Sequence, residues 1–190
     1  MTVTPALVGR LVALGLLGVV LQVTAVSQVE VFGVPADLAP LLTMAVGLLL
    51  GSTTGAAFGF AVGLLADTGE LQTLGVTSLL LVTVGYGAGR LRELRDPAHG
   101  LTPMAVGAAS AAIASVGYVL LQFLLGADVP FSILLVRDIL MSIALATLLS
   151  LPVYAIVRRV LLPFLPDDPR RRRRRAYTTG GLSPLSRAHR

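Results

Sequence analysis

Asp67, Arg137 and Asp138 are charged residues set against apolar sequence. Asp67 directly follows the run from Gly55 to Ala66, and Arg137–Asp138 interrupt the run that begins at Pro130. A charge in such a place can bind a cation, relay a proton or pair with an opposite charge on another helix. Adjacent residues do not face each other on a helix, so Arg137 and Asp138 need different partners. Asp67 is a candidate partner for Arg137, since both fall near the outer boundary of the membrane. Asp67 has a structural reading as well, as a helix-capping acid, and Glu70 just beyond it reads as a solvated loop acid.

Other reactive chemistry lacks raw material. The chain has no cysteine, which excludes disulfides, iron–sulfur clusters and thiolate zinc sites. Its two histidines, His99 and His189, lie in polar sequence. Ser110, Ser115 and Ser142 fall in apolar runs with no histidine there to activate them. No HExxH motif, Walker loop or paired-carboxylate arrangement occurs. The expectation is a protein without catalysis, cofactor or metal.

Five glycines, Gly47, Gly51, Gly55, Gly59 and Gly63, recur at four-residue intervals, with Phe60 beside the fourth. On a helix that spacing puts small residues along one face, where a neighbouring backbone can approach closely. The neighbour can be another helix of this chain or a partner protein. A turn near Ser52 splits the series into two short ridges, and these ridges are expected to grip the membrane helix of a partner. The fifth apolar run, rich in alanine with Gly107 and Gly117, has a similar small face.

The elements that carry these residues are apolar helices. The chain of 190 residues is 55% hydrophobic and 13% charged, against about 25% charged in a soluble domain. Charge-poor windows define six spans, at about 6–27, 36–51, 53–67, 71–90, 101–126 and 130–158. The window from Leu38 to Ala66 decides the count: as one helix its roughly 29 residues would reach about 43 Å, too long for a hydrocarbon core of about 30 Å. The sequence Gly51–Ser52–Thr53–Thr54–Gly55 supplies a stop and a restart.

Charge placement orients the spans. All 15 basic residues are arginines. Six crossings from a cytoplasmic N-terminus put Arg10, the loop with Arg90, Arg92 and Arg95, and the pair Arg158–Arg159 on the inside. The continuous block Arg170, Arg171, Arg172, Arg173, Arg174 and Arg175 falls on the same side. Glu30, Asp37, Asp67, Glu70 and Asp128 then lie outside, as the positive-inside pattern requires. Five crossings would break it. Arg10 and the apolar run after it, up to Ala25–Val26–Ser27, also allow a cleavable signal peptide, although its loss would leave an odd number of spans. Residues 1–162 thus read as the membrane domain and 163–190 as a disordered cytoplasmic tail. The tail's arginine block is a topology anchor with attraction for anionic lipid. Docking of a cytoplasmic protein is a second reading of that block. Nucleic-acid binding has no aromatic platform to support it.

The stretch VPADLAPLLTMAVGLLLG, followed by GAAFGFAVGLLADTGELQTLGVTSLLLVTVGYGAGRL, resembles the rod shape-determining MreD family. Gly59, Phe60, Gly63 and Asp67 occupy its hairpin motif, Leu74–Gly75 its Leu-Gly pair, and Gly85, Gly89 and Arg90 its span end. Leu151–Pro152 ahead of Arg158–Arg159 matches its ending. The resemblance implies an all-α integral membrane protein, a six-helix bundle similar to the substrate-binding subunits of energy-coupling-factor transporters. It implies a subunit of the bacterial cell-elongation machinery in the inner membrane, partnered by MreC. Through MreC it implies association with the elongation penicillin-binding protein, RodA, RodZ and MreB. The same fold likeness implies the alternative of a vitamin-capture subunit, which the absence of tryptophan and the few polar residues in the spans disfavour. An ion or proton channel through Asp67, Arg137 and Asp138 is a third class.

Overall fold

Proline stands in the first turn of three helices, where its missing N–H removes a donor that has no partner there. The three are Pro5, Pro40 and Pro103. The computed structural model describes residues 4–26, 30–31, 34–35, 37–69, 74–94, 102–126 and 133–164. The expected roles of Glu70 and Arg95 fall outside these residues. So does the expected lipid and topology role of Arg170, Arg171, Arg172, Arg173, Arg174 and Arg175. Six α-helices run in the order α1 (Pro5–Leu21), α2 (Ala39–Leu50), α3 (Ser52–Gly69), α4 (Val76–Leu94), α5 (Thr102–Leu124) and α6 (Ile133–Leu161). A π-helical turn, Gln22–Val26, extends α1, and a 3-10 turn, Leu162–Phe164, extends α6. Between α1 and α2 lies a two-residue antiparallel pairing, Glu30 with Pro35 and Val31 with Val34.

The chain is an all-α membrane protein. Three helical stretches, Pro5–Thr24, Thr102–Leu124 and Ile133–Phe164, are long and apolar enough to cross a membrane. Their large side chains point outward, among them Leu17, Leu120, Leu124, Leu140 and Leu148. That arrangement suits lipid, which is as apolar as leucine and does not drive such residues inward.

The centre is built differently. Eleven of the twelve residues of α2 are buried, as expected of a helix that is apolar all round. At about 18 Å it is shorter than a hydrocarbon core, and neighbouring helices enclose it. Two side chains fix its start: Gln22 Oε1 accepts the Leu38 N–H and Asp37 Oδ1 accepts the Ala39 N–H. Its end is Gly51, whose φ of +101° is a left-handed value that favours glycine.

After Gly51 the chain reverses, and α3 packs back along α2 with Gly55 against Gly47. The next helix, α4, runs antiparallel to α3 through Gly55 against Gly85, Gly59 against Leu81 and Gly63 against Ser78. The Thr43 methyl of α2 fits between Gly59 and Gly85. Helices α2, α3 and α4 thus meet backbone to backbone, and dispersion replaces the hydrophobic effect as the force between them. The outer helices dock onto this triad, α1 through Gly15 and Gly18 against Val62 and Leu42, and α5 through Gly117 against Leu80. Gly107 of α5 meets Ser150 of α6, which completes the bundle.

Candidate functional site

The α3–α4 pair is tied at both ends by a carboxylate from the opposite helix. Helix α4 begins after Gly75, which has a φ of +99° and no side chain with which to cap the helix. Asp67, near the end of α3, does this instead: its Oδ2 accepts the Gly75 N–H at 2.7 Å. The side chain is 2% exposed. The N-terminus of α4 is a favourable place for a negative charge, because its free N–H groups carry partial positive charge. Asp67 Oδ1, Ser78 Oγ and Thr43 Oγ1 are buried and have no hydrogen-bond partner among the described residues.

The other end mirrors this. Helix α3 begins at Ser52, and Glu93 in the last turn of α4 reaches it. Glu93 Oε1 accepts the Ser52 hydroxyl at 2.7 Å and the Ser52 N–H at 3.3 Å. Its Oε2 accepts from Arg90 at 3.2 Å. The Ser52 hydroxyl, then the Ser52 amide, then Arg90 hold the Glu93 carboxyl below its ordinary range. The two carboxylates are anchors for a hairpin. No group of three or more histidine, cysteine or carboxylate residues among the described ones could hold a metal.

These positions change the meaning of several residues singled out above. Gly47, Gly55, Gly59 and Gly63 face other helices of the same chain, and a Cβ at any of them would collide with backbone of α4 or α2. The ridges therefore do not grip a partner helix, because α4 already fills them. Gly51 is the turn between α2 and α3. Phe60, by contrast, points outward at 53% exposure.

Asp67 and Arg137 do not form the expected ion pair. Asp67 turns instead to an amide eight residues along its own chain, and the ion pair among the described residues is Arg90–Glu93. Arg137 and Asp138 lie exposed on the first third of α6, beside the exposed Ile133, Leu134, Val136 and Leu140.

Arg137 aside, the arginines of the described residues lie near the start of α1 and near the ends of α4 and α6. Arg10 Nη1 donates to the Val160 carbonyl at 3.0 Å, and its guanidinium lies 5.0 Å from the centre of the Phe164 ring. This joins the start of α1 to the end of α6. Arg92 lies in the last turn of α4, and Arg158 and Arg159 lie in the last turn of α6. Asp67 and Gly75 occupy the opposite end. Sequence reasoning missed the Glu93–Ser52 contact and the Arg10–Phe164 contact. Arg90–Glu93 spacing signals only a surface pair on one helix, and nothing in it points to Ser52.

Residues 6–160 match the family model of the rod shape-determining protein MreD. The chain belongs to the MreD family. That span begins in the first turn of α1 and ends at Val160, so the whole described bundle is the MreD unit. No curated protein and no solved structure matches the chain. The resemblance seen in the glycine hairpin thus extends to the chain as a whole, and MreD names a family of shape-determining membrane proteins.

Proposed function

We propose that this MreD-family chain is a non-enzymatic subunit of the bacterial cell-elongation complex, held in the inner membrane and bound to MreC. Through MreC it is associated with the elongation penicillin-binding protein, RodA, RodZ and MreB, and it helps organise peptidoglycan synthesis and cell shape. The observation that carries this reading is the family match over residues 6–160. The structure supports it by dividing the molecule into a glycine-packed interior and an apolar exterior. A rigid interior presents fixed surfaces to a partner helix within lipid. The antiparallel order of the helices suits six crossings with both termini cytoplasmic, with the arginine-rich end facing the cytosol.

Within this reading the contact charges are Arg137 and Asp138, which are exposed among apolar side chains of α6. Asp67 is structural, because it is consumed at the start of α4. A vitamin-capture role gains no support from the groove between the start of α4 and the end of α5. Leu74, Gly75, Val76, Leu79, Leu121, Leu124 and Leu125 line it without polar side chains.

Affinity purification of the full chain from membranes, followed by mass spectrometry, tests the proposal. MreC is the expected co-purifying protein, and Arg137→Ala with Asp138→Ala should reduce its yield without reducing membrane insertion. Recovery of a vitamin with no MreC would reject the reading.

A further inference from the structure

Arg137 and Asp138 stand side by side on α6, both exposed, and neither forms an ion pair among the described residues. Arg158 lies 21 residues further along the helix, a distance of about 31 Å. With Arg158 at one boundary of a hydrocarbon core of about 30 Å, the pair sits at the other. An arginine there can stretch its long stem toward the head groups. An aspartate is too short to do so and holds its charge against apolar neighbours.

The same side of α6 carries a regular exposed line. Leu134, Met141, Leu148 and Ala155 recur every seven residues, two helical turns, and all of them are exposed. Such a repeat is the contact line of two parallel helices that wind around each other left-handedly. At about 100° per residue, Arg137 falls to one side of the line and Asp138 to the other. Ala144, also exposed, lies one repeat beyond Arg137 and permits a close approach. Adjacent residues do not face each other on one helix, so Arg137 and Asp138 cannot satisfy each other. Two copies can. Copies inserted in the same orientation are related by a two-fold axis along the membrane normal, which sets equal residues at equal depth. That rotation carries each arginine across from the aspartate of the other copy, once on either side of the line.

We propose that a second copy of this chain covers this face of α6, with Arg137 of each copy paired to Asp138 of the other. The face is self-complementary in charge, and acyl chains offer neither residue a partner. This goes beyond the proposed binding of MreC, which then meets the paired copies. Leu140, exposed and about 100° round the helix from Met141, is left free for that contact. Loss of MreC from the chain with Arg137→Ala and Asp138→Ala follows from loss of the pair.

The test co-expresses two differently tagged full-length copies, extracts them from membranes in mild detergent, pulls down one tag and measures the other. Wild-type copies should co-purify. Arg137→Asp in both copies, or Asp138→Arg in both, sets like charges opposite each other and should cut the yield at least about tenfold. Arg137→Asp in one copy with Asp138→Arg in the other restores opposite charges on both sides, and co-purification should return to near the wild-type level. That recovery would also show both variants folded. If the charge variants do not fold, a single cysteine in the otherwise wild-type, cysteine-free chain gives the answer. After mild oxidation Met141→Cys should yield disulfide-linked pairs and the buried Val153→Cys none. Wild-type copies that do not co-purify, a folded mixed pair no better than the single variants, or a Met141→Cys chain that does not link would overturn the second copy as occupant. So would loss of MreC from the charge variants while the copies stay together, which assigns the two charges to MreC. Charge-dependent association of the copies in membranes without MreC supports the inference, whatever becomes of the proposed function.

Discussion

Gly55 and Gly85 exclude each other's side chains: the carbonyl of each occupies the place where a Cβ on the other would stand. Overpacking of this kind forces the backbone apart and typically costs about 1–3 kcal/mol. Gly85→Ala should therefore destabilise the bundle by at least that much. Gly87, two residues on, has open space around it, and Gly87→Ala should be neutral or stabilising by about 0.5–1 kcal/mol. Thermal unfolding in detergent would measure both, and similar losses at the two positions would show that the contact is not the cause.

Gly59→Leu and Gly63→Leu follow the same logic with larger side chains. Both should lower the folded yield, because their neighbours are Leu81 and Ser78 backbone of α4. Normal folding with selective loss of a partner would return the ridges to an outward role. Protease resistance of the purified variants distinguishes these outcomes.

The stop and restart at Gly51 were legible in the sequence, since glycine followed by Ser-Thr-Thr marks one helix ending and another beginning. The four-residue glycine register was legible as a close-packing face. Its partner was not, because small residues state that something approaches and never what. Gly85, Leu81 and Ser78 on α4 are that partner for α3, and only the first of the three is a glycine. The Asp67–Arg137 pairing failed for a related reason. Charge and depth made it plausible, but a free amide at Gly75 lies closer along the chain than any arginine.

Asp67→Ala would leave the half-buried Gly75 amide without its acceptor, a loss of about 1–3 kcal/mol. Asp67→Asn keeps an acceptor oxygen and gives up only the charge at the helix start, about 0.3–1 kcal/mol. Chemical unfolding in mixed micelles should rank wild type above Asn and Asn above Ala. Equal stability of all three would remove Asp67 from its capping role.

Glu93 imposes a pH dependence. Its carboxyl ionises below the ordinary value of 4.5 in the folded chain, so the folded state favours the anion. The stabilisation is therefore complete above about that ordinary value and fades as pH falls through the lowered one. The stability difference between wild type and Glu93→Gln should be constant at neutral pH and shrink in acid. A difference that grows on acidification would contradict the Ser52 contact.

Arg10 should hold the start of α1 against the end of α6. Arg10→Ala removes a charged hydrogen bond and a cation–π contact, together about 2–3 kcal/mol at most for a partly exposed site. Hydrogen exchange should rise at the start of α1 and the end of α6 and stay unchanged in α2. Uniform exchange across the helices would place the effect elsewhere.

The absence of cysteine makes a single introduced thiol unambiguous. Leu140→Cys on the exposed side of α6 and Leu81→Cys in the α3–α4 contact give one outward and one inward probe. Cross-linking in intact membranes that hold a cysteine-scanned MreC membrane helix compares them directly. The account predicts an adduct with MreC from position 140 and none from position 81. An adduct from position 81 alone, or none from any outward position of a folded chain, would contradict it.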